Sequence, residues 1–114
     1  DDGSHHMKHV SASFNYLYPR ISPSGVYMVE DLHTAYWNEY GGGFRDSNSF
    51  IEYFKALIDE LNAFHIRGGE LPPTDFTRST FCMSAYDSII VMEKAPFINR
   101  KMQMIGDESR RINY

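Results

Sequence analysis

Two short acidic stretches hold the residues best suited to chemistry. One is Asp1-Asp2-Gly3-Ser4-His5. The other is Glu30-Asp31, which closes the apolar run Val26-Tyr27-Met28-Val29 and leads into Leu32-His33-Thr34. If Asp1-Asp2 ends one parallel strand and Glu30-Asp31 ends the next, both pairs lie on one edge of the sheet. Neighbouring strands are about 4.8 Å apart, so three or four carboxylates would crowd together. Such a cluster repels itself, and a hard divalent cation relieves the repulsion. Oxygen-only donors favour Mg²⁺, with Mn²⁺ or Ca²⁺ as substitutes. Zinc is disfavoured because no Cys-rich or His-rich ligand spacing occurs. His5 follows Asp2 by three residues, just past the strand end. An imidazole ordinarily titrates near neutrality and could act as a general base beside a metal-held oxygen.

Each of these residues also has a plainer reading. Asp1, Asp2 and Ser4 could cap the helix that follows. Glu30 and Asp31 could be ordinary loop acids. His6, His9 and His65 suit a helix surface or packing better than ligation, while His33 lies nearer the proposed site. Tyr36, Trp37 and Tyr40 could cover the core or line a pocket. The residues alone leave these alternatives open.

The elements that must position the site are legible from periodicity. Residues 6–18 read as a helix, with Met7, Val10, Phe14, Leu17 and Tyr18 on one face. Pro19 stops it, and Ser22-Pro23-Ser24-Gly25 is a turn. Val26–Val29 is a short, wholly apolar run, which suits a strand covered on both faces. Strand end, helix, turn and buried strand make the second part of a βαβ unit. Leu32 to Asp46 reads as a long loop broken by Gly41-Gly42-Gly43. Ser49 to about His65 is a helix with a Ser49/Glu52 capping box and an apolar stripe through Phe50, Phe54, Leu57 and Leu61. Gly68-Gly69 closes that region, and Leu71–Asp75 is a second loop. Phe81–Tyr86 and Ile89–Glu93 are two strands whose join at Asp87-Ser88 is too short for a parallel crossover, so they pair antiparallel. Residues 95–114 form a polar tail that could pack on a partner subunit or a missing domain.

Composition narrows the function classes. With 114 residues the chain is at most one domain. A net charge of −4 gives no nucleic-acid footprint. No apolar run approaches the roughly 20 residues that cross a bilayer. Cys82 stands alone, which excludes an internal disulfide and suits a reducing, cytoplasmic setting. The run Asp1–Met7 also resembles an expression-vector scar. The expected fold class is α/β, with too few strands here to bury both faces of a doubly wound sheet.

Taken in order, Asp1-Asp2-Gly3-Ser4-His5, Val29-Glu30-Asp31-Leu32-His33-Thr34, Tyr36-Trp37 and Gly41-Gly42 resemble a known group. These are the metal-dependent class I S-adenosylmethionine methyltransferases that O-methylate sugars in macrolide pathways, with a related cephalosporin hydroxylase-like group. Tyr86-Asp87-Ser88-Ile89-Ile90-Val91 is similar to the closing hairpin of that family. The resemblance implies that residues 1–94 are the C-terminal half of a Rossmann-like methyltransferase domain, running from the end of the fourth strand. It implies Asp2, Glu30 and Asp31 as magnesium ligands and His5 as the base toward a sugar hydroxyl. It places Asp1 on the cofactor side and Tyr36 and Trp37 near a small-molecule acceptor, with a homo-oligomer as a further expectation. The Gly-rich strand-to-helix turn that holds S-adenosylmethionine in this fold is not among the 114 residues, so the chain alone is expected to be inactive. The main rival is a non-catalytic metal- or glycan-binding domain with Tyr36, Trp37 and Tyr40 as a sugar platform. A third reading is a hydrolase using His5 and a metal-held water, for which no dedicated nucleophile is visible.

Overall fold

The structure, a computed structural model, describes residues 5–96. Helix α1 (Met7–Leu17) buries Met7, Val10 and Phe14, one turn or two apart. His6 caps it, its Nδ1 accepting from the Lys8 N–H at 3.2 Å. That position is therefore filled by His6 and not by Asp1, Asp2 or Ser4. Pro19 sits at the start of a 3₁₀ turn, Tyr18–Arg20, which ends the helix as its missing N–H dictates. Strand β1 (Val26–Val29) follows, then two 3₁₀ segments, Leu32–Tyr36 and Asn38–Tyr40. The region read as a loop thus contains short helical turns.

Helix α2 (Phe50–Leu61) buries Phe50, Phe54 and Leu57 at helical spacing. Ser49 caps it by accepting from the Ile51 N–H at 3.1 Å. The expected capping box is half formed, because Glu52 pairs with Lys55 instead. The α-helix ends at Leu61 and the turn Ala63–His65 is 3₁₀, so the helix is shorter than its apolar stripe suggests. A complete capping box occurs at Thr74 and Thr77, opening the short helix α3 (Asp75–Ser79). A Thr at the third helical position lacks the acidic signature that marks such boxes in a sequence.

Strands β2 (Thr80–Tyr86) and β3 (Ile89–Lys94) form the expected antiparallel hairpin. The sheet order is β1-β3-β2, and β1 pairs antiparallel with β3, from Val26↔Glu93 to Val29↔Ile90. β1 and β2 therefore run parallel with β3 between them. The strand end expected at Asp1-Asp2 lies outside the described residues, as does nearly all of the polar tail.

One core lies on one face of the sheet. It joins Met7, Val10 and Phe14 of α1, Tyr27 and Val29 of β1, Phe50, Phe54 and Leu57 of α2, and Ile90 and Met92 of β3. Phe14 is ringed by Tyr18, Tyr27, Phe50, Tyr53 and Phe76 at centroid distances of 4.9–6.3 Å. Most of the aromatic excess near the first helix is thus spent on packing. Two-sided burial of β1 does not occur among the described residues. Val26 and Met28 are 56 % and 45 % exposed while Tyr27 and Val29 are buried, because α1 and α2 cover the same face.

Candidate metal and acid/base site

The site grows from the end of β1. Glu30 follows the last strand residue, and Asp31 then adopts the left-handed region with φ 58° and ψ 35°. For a residue with a Cβ this costs about 1 kcal/mol, and Asp is among the few that tolerate it. The kink ends the strand abruptly and starts the 3₁₀ turn, whose first residue, Leu32, is 1 % exposed. Both carboxylates are thereby left at the sheet edge, exposed to solvent.

His5 enters from the other segment. Its Nε2 lies 3.8 Å from the Asp31 Oδ2, with both side chains partly exposed. The backbones of the two segments are joined by Thr34. This buried residue sets its hydroxyl 3.1 Å from the carbonyl oxygen of His5 and 3.1 Å from that of Asp31.

A second fastening comes from the β2–β3 hairpin. Its tip residue Ser88 has φ 65°. The Leu32 N–H donates to the Ser88 carbonyl at 2.8 Å, and the His33 N–H donates to Ser88 Oγ at 3.1 Å. The His33 Nδ1 also lies 2.8 Å from that hydroxyl. The turn that carries Glu30 and Asp31 is therefore held from two sides, by Thr34 and by Ser88.

Aromatic rings line the flank. His5 is edge-on to Tyr40 at 6.3 Å, Tyr40 is 6.0 Å from Trp37, and Trp37 is edge-on to His33 at 5.1 Å. Trp37 is 45 % exposed, so one face of this string is open. Tyr36 goes elsewhere. It lines a cleft of about 480 Å³ with His33, Ile58, Tyr86 and Ser88. The glycine run fits tightly behind the rings. A Cβ on Gly42 would come within 2.1 Å of the Ala35 carbonyl oxygen, and Gly41, at φ 80°, lies against the His6 imidazole.

The structure thus brings His5 and Asp31 together, leaves Glu30 exposed one residue before Asp31, and separates Tyr36 from Trp37. Asp1 and Asp2 lie outside the described residues. Among the described residues no three His, Cys, Asp or Glu side chains converge as a metal cage. The donors present nonetheless suit Mg²⁺, which is typically held by one or two carboxylates with water completing its octahedron. Among the described residues Glu30 makes no side-chain hydrogen bond or ion pair, and no zinc-type donor set is formed. Thr34 and Ser88 carry no sequence signal of their own, since each acts on a segment remote in the chain. His33, read from the sequence as lying nearer the proposed site, bonds to Ser88 at the hairpin tip.

No established family profile matches the chain. It is 41 % identical over 81 residues to 8-demethyl-8-alpha-L-rhamnosyl tetracenomycin-C 2'-O-methyltransferase of Streptomyces olivaceus, a match covering 68 % of this chain and 21 % of that protein. It is 35 % identical over 103 residues to mycinamicin VI 2''-O-methyltransferase of Micromonospora griseorubida, covering 82 % and 25 %. The solved MycE methyltransferase of the mycinamycin biosynthetic pathway, in complex with Mg, SAH and mycinamycin VI, superimposes with a TM-score of 0.74. That alignment has 33 % identity and covers 84 % of this chain and 25 % of MycE. The chain spans a fifth to a quarter of the length of these proteins. The α/β class expected from the sequence agrees with that match. Over the segment it shares with them, the chain is a homologue of these sugar O-methyltransferases.

Proposed function

We propose that this chain supplies the metal-and-base portion of an O-methyltransferase that acts on a sugar or similar small-molecule hydroxyl. The observation that carries the reading is the approach of His5 Nε2 to Asp31 Oδ2 at 3.8 Å, one residue from the exposed Glu30. The similarity to proteins named as sugar O-methyltransferases, and to one solved with Mg and SAH, supports it.

The placement of His5 and Asp31 supports the following roles. Glu30 and Asp31 offer hard oxygen donors at the sheet edge, and Asp2 would complete the set. When bound, Mg²⁺ supplies positive charge beside the acceptor oxygen and S-adenosylmethionine supplies the methyl group. His5 takes the hydroxyl proton at Nε2. The Asp31 carboxylate then faces the imidazolium and stabilises it. Trp37 gives the acceptor an apolar wall, and its partial exposure suits stacking on a sugar face.

The test uses the complete gene product with S-adenosylmethionine, Mg²⁺ and a glycosylated acceptor. Loss of a general base costs about 10²–10⁴-fold in rate, so His5→Ala should fall in that range. Near-normal turnover in His5→Ala overturns the assignment. Titration with S-adenosylhomocysteine separates this reading from a non-catalytic glycan-binding module, which would bind sugar and leave the cofactor product unbound.

A further inference from the structure

Thr34 lies between His5 and the turn at Glu30-Asp31 and has no obvious chemistry of its own. It is 2 % exposed, yet its hydroxyl faces two carbonyl oxygens and not the apolar core around it. Those carbonyls belong to His5 and Asp31, 29 and 3 residues away in the chain. One hydroxyl proton serves both acceptors at 3.1 Å, as a shared or alternating bond. The Thr34 N–H adds a further bond to the Asp31 carbonyl at 3.3 Å. The Asp31 backbone is thus fixed by the residue that also fixes His5.

We infer that Thr34 is a positioning residue, whose hydroxyl sets the spacing between the base His5 and the metal-ligating carboxylates at Glu30-Asp31. The inference rests on the function proposed above. Its physical basis is that the Asp31 backbone stands in a strained left-handed conformation, which persists only where neighbours over-determine it. The His5 side chain hangs from a segment with no helical or strand bonding at that residue. A bond from Thr34 to each backbone leaves little freedom in how the imidazole and the carboxylates approach. Residues that orient metal ligands typically change metal affinity by 10–100-fold when altered.

The experiment compares Thr34→Val, Thr34→Ser and Glu30→Gln in the complete protein, with Mn²⁺ as the probe. Mn²⁺ affinity is read by electron paramagnetic resonance, and the thermal midpoint is read with and without the metal. Thr34→Val keeps the shape and removes the hydroxyl, so Mn²⁺ affinity should fall about 10-fold or more. The gain in thermal midpoint on adding Mn²⁺ should shrink with it. Thr34→Ser keeps the hydroxyl and should bind Mn²⁺ within about 3-fold of the parent, well inside the effect expected of an orienting group. Parent-like Mn²⁺ affinity in Thr34→Val overturns the inference. So does a 10-fold loss in a folded Thr34→Ser, which would make the methyl packing the cause; this arm decides even where Thr34→Val does not fold. Glu30→Gln tests the underlying function separately. If it binds Mn²⁺ as the parent does, the metal site itself is misplaced, whatever Thr34 shows.

Discussion

The Tyr18 hydroxyl and the Thr80 Oγ1 lie 2.7 Å apart in the core, 62 residues apart in the chain. They join the end of α1 to the first residue of β2, and both are almost wholly buried. Tyr18→Phe keeps the ring stacked on Phe14 at 4.9 Å and removes this bond. The expected loss is about 0.5–1.5 kcal/mol. Urea unfolding reads it as a lower midpoint at unchanged slope. No change in midpoint would show that the bond contributes nothing.

Gly42 and Gly69 separate crowding from backbone strain. A Cβ at Gly42 would meet the carbonyl of Ala35, a residue with no exposure, so the neighbour cannot give way. Gly42→Ala should cost about 1–3 kcal/mol, as overpacking does, and should also disturb the Tyr36-Trp37 segment. Gly69 has φ 79° and open space around it. Gly69→Ala should cost only the left-handed strain, about 1 kcal/mol. Equal costs measured by thermal melts would refute the distinction.

Under the proposed function, Asp31 makes fold stability and metal binding pull in opposite directions. Asp31→Gly relieves the left-handed strain at φ 58°. The folded state should hold its stability or gain up to about 1 kcal/mol. The same substitution removes a carboxylate from the site, so Mn²⁺ affinity should drop. A stability loss larger than about 1 kcal/mol would show that the Asp31 side chain is needed for the fold and that its backbone stores no strain.

Alkaline stability follows from one buried group, Tyr27, and two half-buried ones, Tyr53 and Lys94. Burial raises the Tyr27 hydroxyl above its ordinary pKa of 10.0. Burial first, and the Glu60 charge second, raise Tyr53 in the same way. Their protonated forms are favoured in the fold, so this stability is complete below pH 10.0 and is lost as pH climbs through the raised values. Lys94 acts in the reverse sense. Burial lowers its pKa below 10.5, so the unfolded chain binds more protons there and stability rises as pH approaches 10.5. Denaturant midpoints across this range should fall less steeply above pH 10.0 in Tyr27→Phe than in the parent. An identical fall in the variant would remove Tyr27 from the account.

Much of this arrangement is legible in the sequence, for local reasons. Phe50, Phe54 and Leu57 repeat at helical spacing, and Asp87-Ser88 leaves room only for a hairpin. The juxtaposition of His5 with Asp31 depends on chain crossings that spacing alone does not fix; the resemblance to a known group suggests it. Thr34 and Ser88 are silent because their bonds reach 29 and 55 residues along the chain. A hydroxyl bond to a backbone 29 residues away leaves no pattern within a window of ten residues. Among the described residues, burial of β1 is one-sided. Four apolar residues in a row record what a strand could bury, whereas α1 and α2 both pack on the side of Tyr27 and Val29.

The strand order has a consequence for the sequence of folding events. Among the described strands β1 comes first, yet its partner is β3, so Val26 must wait for Glu93. The β2–β3 hairpin closes through two residues and can form within microseconds. Pairing β1 with β3 requires closing a loop more than sixty residues long, which is entropically costly and slow. Within this segment the hairpin is therefore the template, and Ser88 at its tip reaches Leu32 and His33 only when β1 docks. By loop length alone, the edge that carries Glu30 and Asp31 is expected to assemble after the hairpin.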